Sequence, residues 1–214
     1  MSGERGPRTR RVALGAPGAM LVIISGPSGV GKDTIIAALR RRPRDPDYHY
    51  VVTCTTRGPR PGEVDGVSYH FRAPGAFTAL RDGGELLEWA EVHGNWYGTP
   101  RRQVVDALRA GRDVILKIDV QGAQAVKSRV PDALLVFLVP PSMEALFSRL
   151  RSRATETADE LEVRQRNAAI ELARQEDYDH VVVNETGQVD RTARRIDEIV
   201  AAERARHPRR RIRL

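Results

Sequence analysis

The sequence predicts an α/β fold: a parallel sheet covered by helices on both faces, with a small lobe inserted into it. Three observations point there. Apolar runs of strand length, such as Met20–Ile24 and Leu134–Val139, lack the alternation of half-exposed strands and read as strands buried on both faces. These runs alternate with helix-length segments, the order that builds a parallel sheet. Between the first and second long strands, residues 53–97 break into short alternating strands and turns, which suit an antiparallel lobe.

Each element has a local reason. Met20–Ser25 is the first buried strand, and Asp33–Arg42 the helix after it, broken by Pro43–Asp47. Tyr50–Thr53 is strand-like, whereas Arg57–Gly66 is too rich in Arg, Pro and Gly to be anything but loop. Ser68–Phe71 alternates as a short strand, and Phe77–Gly83 is a short helix stopped by Gly83-Gly84. Leu86–Val92 is a strand leading to a turn at Gly94-Asn95, and Pro100–Ala110 is a helix with Gly111 as its stop. Asp113–Asp119 and Leu134–Val139 are the second and third buried strands. Pro140-Pro141-Ser142 opens a helix to about Arg153, and Ala158–Glu176 is a long polar helix. Tyr178–Asn184 holds the fourth buried strand, and Val189–Arg206 closes the chain as a helix.

Composition bounds the function. With 214 residues, 41% hydrophobic and 29% charged, the chain builds one domain, or one core with inserted lobes. No run approaches the ~18 apolar residues of a membrane span. Residues 1–19 are basic and broken by Gly and Pro, unlike a secretory signal. The only cysteine, Cys54, excludes an intramolecular disulfide and any multi-cysteine metal site, and implies a reduced, cytoplasmic setting. The net charge of +7 lies at the ends: residues 1–19 carry +3 and residues 203–214 carry +5, leaving 20–202 at −1. A basic disordered tail over 1–19 and an Arg-rich tail over 203–214 therefore flank a nearly neutral body. A duplex-binding domain would carry its charge on a folded face, so nucleic acid enters only as weak contact through these tails.

The strongest local signal is Gly26-Pro27-Ser28-Gly29-Val30-Gly31-Lys32-Asp33-Thr34. It follows a buried strand and opens a helix, the context a phosphate-binding loop requires. The glycines let successive N–H groups turn toward phosphate oxygens, the helix N-terminus adds partial positive charge, and Lys32 reaches the β- and γ-phosphates of ATP. The position after the lysine ordinarily bears a Ser or Thr hydroxyl for Mg²⁺. Here it is Asp33, so either Asp33 or the Thr34 hydroxyl is the metal's protein ligand. A carboxylate beside a triphosphate is tolerable only with a cation between them.

Two further constellations define an acceptor. Arg57 and Arg60, stiffened by Pro59 and Pro61, suit a bidentate phosphate clamp, to which Tyr69 and Tyr97 add hydroxyl donors. Glu88 in the inserted lobe and Asp119 at the end of a core strand form an acidic pair. Guanine offers N1–H and N2–H₂ as adjacent donors for such a pair; adenine does not.

These pieces resemble the guanylate kinase family over about residues 20–202. The matching stretches are GPSGVGK at 26–32, TTRGPRPGEVDGVSYHF at 55–71, ELLEWAEVHGNWYGT at 85–99, IDVQG at 118–122, the arginines around 149–164, and VVVNETG at 181–187. The resemblance implies a P-loop three-layer α/β fold with core 20–52, 98–140 and 170–202, a GMP-binding lobe over 53–97 and a helical lid over 141–169. It implies that Arg57, Arg60, Tyr69 and Tyr97 hold the GMP phosphate and that Glu63 orders their loop. Thr53, Glu88, Thr99 and Asp119 would bind guanine. Arg149, Arg153 and Arg164 would close on the ATP phosphates, and Asn184 would lie near the adenine. The implied reaction is ATP plus GMP giving ADP and GDP with Mg²⁺. The family often has an acid two residues before the aspartate of IDVQG; here that residue is Lys117. Two other readings are a ribose 1,5-bisphosphate phosphokinase-like enzyme and a non-catalytic guanylate kinase-like binding module.

Overall fold

The computed structural model describes residues 13–14, 18–44, 47–92, 94–151 and 158–214. A two-residue strand, β1 (Ala13–Leu14), precedes β2 (Leu21–Ser25), all of whose residues are buried. Helix α1 (Lys32–Arg41) follows, then β3 (His49–Tyr50). The inserted lobe contains β4 (Cys54–Thr55), β5 (His70–Phe71), α2 (Pro74–Asp82), β6 (Leu86–Val92) and β7 (Asn95–Pro100). The core resumes with α3 (Arg101–Arg109), β8 (Val114–Lys117), α4 (Val120–Arg129) and β9 (Leu134–Val139). Then come α5 (Met143–Arg151), α6 (Ala158–Leu172), a 3₁₀ turn over Ala173–Asp177, β10 (His180–Val183), α7 (Val189–Arg206) and β11 (Ile212–Arg213).

Five strands form a parallel sheet in the order β10-β9-β2-β8-β3. Alternation along the central strands sorts its side chains onto two faces. Leu21 and Ile23 join Leu116, Leu135 and Phe137 under α3 and α4, while Val22 and Ile24 join Val136 and Leu138 under α1 and α7. Burial on both faces is why these strands read as unbroken apolar runs. The lobe is a second sheet, β5-β4-β7-β6, antiparallel except for the β4–β5 pair. Its own buried cluster is small: Cys54, Phe77 and Leu86, edged by Leu80, Trp89 and Trp96.

The ends of most elements fall within a residue or two of expectation. The short helix of the lobe starts earlier, because Pro74 serves as its first residue and fixes φ for the opening turn. The helix expected over Ala158–Glu176 is α-helical only to Leu172, then tightens to 3₁₀. Helix α4 was not expected. Asp119 caps it, its side chain accepting from Gly122 N at 3.1 Å.

The Arg-rich end, expected as a solvated tail, is docked over its described length. Helix α7 runs to Arg206, Ile212 is fully buried, and β11 pairs antiparallel with β1. Its arginines have partners: Arg204 bonds buried Asp113, and Arg206 and Arg210 bond Glu203. Charge counting misses this because Asp113 lies far from the segment in the chain and the single Glu203 serves both Arg206 and Arg210. Of the tail expected over 1–19, residues 1–12 and 15–17 lie outside the described residues, and Ala13–Leu14 form β1 rather than tail. Among the described residues, no helix is long and apolar enough to cross a membrane.

Candidate active site

The loop between β2 and α1 is shaped by backbone that only glycine adopts without strain. Gly26 sits at φ 142° with Leu138 O only 2.4 Å from where a Cβ would be, and Gly31 sits at φ 101° with Asn184 Nδ2 at 2.6 Å. Any side chain at either position would both strain the turn and strike its neighbour. Lys32 starts α1 and folds back over the loop, its Nζ donating to Gly26 O at 2.5 Å and Pro27 O at 3.1 Å. Burial pushes the Lys32 ammonium below its ordinary value, opposed by the carboxylates of Glu171, Asp33 and Asp119. Glu171, in the last turn of α6, accepts from Ser28 N at 3.0 Å. A carboxylate of the chain itself thus occupies one of the loop N–H groups.

Across a cavity of 160 Å³ the loop residues Gly26, Ser28 and Lys32 face the lobe's Tyr69, Glu88 and Tyr97. Thr53, Arg60, Lys117 and Asp119 complete this wall. Glu88 is 3% exposed and accepts from Thr99 Oγ1 at 2.5 Å, pairing that follows from the β6–β7 register opposing the two residues. Glu88 and Asp119 converge on Gly122: a Cβ there would lie 2.9 Å from Glu88 Oε2 and 3.0 Å from Asp119 Oδ1. Burial, reinforced by the charge of Asp119, raises the Glu88 carboxyl to about 7, despite the bond from Thr99 and the nearby Arg129.

The two arginines of the loop before β5 behave differently. Arg57 is bound to Glu63 through two bonds of 3.0 and 2.9 Å, and its Nε donates to Tyr97 OH at 3.3 Å. Glu63 also accepts from Arg60 N at 2.7 Å. Burial alone would raise the Glu63 carboxyl, but the bonds from Arg57 and Arg60 outweigh it and hold it below its ordinary value. Arg60 keeps its side chain exposed at the cavity edge. Arg57 therefore builds the loop that carries Arg60.

Other expected residues lie apart from this cavity. Asn184 is buried behind the phosphate loop, its Nδ2 donating to Val30 O at 2.8 Å while its Oδ1 accepts no hydrogen bond from the described residues. Arg149 on α5 donates to Val30 O at 3.1 Å, Asn184 O at 3.2 Å and Thr186 Oγ1 at 2.9 Å. Thr34 and Asp33 are exposed on the first turn of α1, with Asp33 bonded to Lys117. Arg153, and the side chain of Arg164, lie outside the described residues. Glu171 and Lys117 are the site groups that motif reasoning left without a role. An acid in a polar helix gives no sequence signal of its contact with a loop 143 positions away.

The guanylate kinase profile matches residues 18–203. The chain belongs to the guanylate kinase family. It is 50% identical over 188 residues to the guanylate kinase of Mycobacterium tuberculosis, covering 86% of this chain and 89% of that one. It is 47% identical over 192 residues to that of Chelativorans, covering 89% and 86%. Among solved structures, guanylate kinase from Anaplasma phagocytophilum matches with a TM-score of 0.71 at 32% identity, over 93% of this chain and 91% of that one. The family match runs through both the phosphate loop and the inserted lobe.

Proposed function

We propose that the chain transfers the γ-phosphoryl group of ATP to GMP, giving ADP and GDP. The observation that carries this reading is the cavity that sets Lys32 and the phosphate loop opposite the Glu88–Asp119 pair. An oxygen of the GMP phosphate forms the new bond to the γ-phosphorus as the bond to the bridging oxygen of ADP breaks. The attacking oxygen is anionic near neutral pH, so no protein base is required. Catalysis is positioning and neutralisation of charge.

In this reading, residues 26–34 form the ATP-phosphate site, with Lys32 over the group in transfer and Asp33 facing the phosphates only through a cation. Arg60, Tyr69 and Tyr97 hold the GMP phosphate, and Arg57 and Glu63 order their loop. Thr53, Glu88, Thr99 and Asp119 read the base. Asn184 supports the phosphate loop from behind, and Arg149, already bonded to Val30 O of that loop, belongs with Arg153 and Arg164 to a lid over 141–169 that closes on ATP. Lobe 53–97 closing on core 20–52, 98–140 and 170–202 would keep water from ATP.

Among the described residues, no cluster of three or more His, Cys, Asp or Glu forms a ready-made metal cage. The donors that are present, the Asp33 carboxylate and Thr34 hydroxyl, are hard oxygens of the type Mg²⁺ takes, and Mg²⁺ ordinarily uses one or two protein ligands with substrate phosphates. These two residues would hold it, and it would supply positive charge at the β- and γ-phosphates. The chain acts in purine nucleotide metabolism, and its single cysteine suits the cytoplasm.

Neither alternative, the sugar-phosphate kinase or the non-catalytic module, is favoured by the relatives. A coupled assay of ADP release across GMP, IMP, AMP and ribose 1,5-bisphosphate tests the reading. A buried acceptor pair leaves at least one unpaired group against AMP, worth about 1–3 kcal/mol each and more when charged. Such sites reach roughly 10⁴-fold discrimination. GMP should dominate, with IMP between because it lacks N2–H₂. Equal use of AMP, or preference for the sugar phosphate, would refute it.

A further inference from the structure

Two departures from the family pattern, 84 positions apart in the chain, meet in space. Lys117, the last residue of β8, donates from Nζ to Asp33 Oδ1 on the first turn of α1. The same Nζ lies 3.3 Å from Tyr69 OH and 4.7 Å from the centroid of its ring. The Lys117 side chain is only 20% exposed, while that of Asp33 is 68% exposed. Lys117 also borders two hollows. One is the 160 Å³ cavity containing Ser28, Lys32 and Glu88; the other is a 760 Å³ cleft between α1 and the lobe, lined by Asp33, Arg40 and Tyr50. Its ammonium thus stands where the donor-phosphate loop, on α1, meets the acceptor-phosphate loop, on the lobe.

A carboxylate at the head of α1 repels a triphosphate unless a cation lies between them. Lys117 supplies that cation from the protein itself, because its ammonium is bonded to the Asp33 carboxylate. We propose that Lys117 is a positioning residue for ATP: its ammonium, held between Asp33 and Tyr69, screens the Asp33 carboxylate from the nucleotide and ties α1 to the GMP lobe. This inference rests on the reading of the loop as an ATP site, and not on the identity of the acceptor.

The test is a double-mutant cycle read by equilibrium binding, with the full chain and the β,γ-imido analogue of ATP, by calorimetry in EDTA. Guanosine affinity and thermal melting report the fold. In EDTA, Lys117→Met should weaken the analogue by roughly tenfold, because Asp33 then faces the triphosphate unscreened. Asp33→Asn in the wild-type background should change affinity by less than about threefold, and in the Lys117→Met background should restore most of the loss. Lys117→Arg, which keeps the charge, should bind as wild type does. Guanosine affinity should be constant throughout.

Unchanged analogue affinity in folded Lys117→Met, or a double variant no better than the single, overturns the proposal. So does a tenfold gain from Asp33→Asn alone, which needs no lysine variant to fold and would show that the carboxylate was never screened. The outcome is separable from the proposed reaction. A wild-type protein that binds the analogue but ignores GMP would refute the reaction and leave the cycle interpretable.

Discussion

The phosphate loop and the inserted lobe share one cavity but are held by different means. The loop's chemistry belongs to the backbone: N–H groups, three glycines at positive φ, and one lysine, set on a strand whose every residue is buried. The lobe's chemistry belongs to side chains, Arg60, Tyr69, Tyr97, Glu88 and Thr99, set on a sheet with three buried apolar residues of its own. Backbone sites need a rigid frame and tolerate surrounding substitution. Side-chain sites depend on a small core that a single truncation can empty. The two halves should therefore fail differently when broken.

The largest expected effect lies in the loop. Lys32→Ala should lower turnover by about 10²–10³-fold or more, the range seen when one preorganised stabilising group is lost. Melting temperature should hold within a few degrees, because the frame around Lys32 is carried by buried strands β2, β8 and β9. Rapid-quench single turnover with folded protein measures this. Retention of most activity would move the charge-neutralising role to another group.

The lobe should lose structure before the core does. Phe77 is 1% exposed and packs against Trp96 at 6.2 Å between ring centroids. Phe77→Ala removes the largest member of a three-residue cluster, and truncations of this kind cost about 3–5 kcal/mol. Hydrogen exchange should quicken over 54–100 while the amides of β2, β8 and β9 keep their protection. Uniform loss of protection would show that lobe and core unfold as one unit, and the contrast between them would vanish.

Much of this contrast was already readable in the chain. Buried strands on a two-faced sheet announce themselves as apolar runs, so β2 and β9 fall where those runs place them. The phosphate loop is legible because its glycine spacing is local. Pairings set by the tertiary fold are not. Lys117 with Asp33, Glu171 with Ser28, and the arginines of the C-terminal segment with Asp113 and Glu203 join positions that nothing local connects. Helix α4 escaped because its signal is a single cap, Asp119, which also served the base-reading argument. One carboxylate had two roles, and the chemical one hid the structural one.

Arg60 and Arg57 sharpen the division within the lobe itself. Arg60→Ala removes an exposed side chain and should weaken GMP by about 1.5–3 kcal/mol, the range for hydrogen bonds to charged groups, with ATP affinity unchanged. Arg57→Ala also strips Glu63 of its ion pair, so it should loosen the loop before any ligand arrives, and proteolysis there should quicken. Equal behaviour of the two variants in both assays would contradict the division into one presenting and one supporting arginine.

The smallest effect is the most diagnostic of how side chains alone can read a base. Glu88 holds its proton to about pH 7 in the free protein, because burial and Asp119 both disfavour its charge. A carboxyl raised in the fold contributes stability that is complete below its ordinary value of 4.5 and is lost as pH rises through 7. Guanine's N1–H and N2–H₂ need the ionised form, so base affinity must run the opposite way and increase with pH across the same window. Guanosine is the proper ligand, since it lacks the phosphate that itself titrates near pH 6. Its affinity should rise about tenfold between pH 6 and pH 8. Glu88→Gln should flatten that rise and also flatten the loss of stability of the free protein. The two curves are tied to one proton: a guanosine profile that stays flat in the wild type, or one that survives in Glu88→Gln, would assign the base contact to another group.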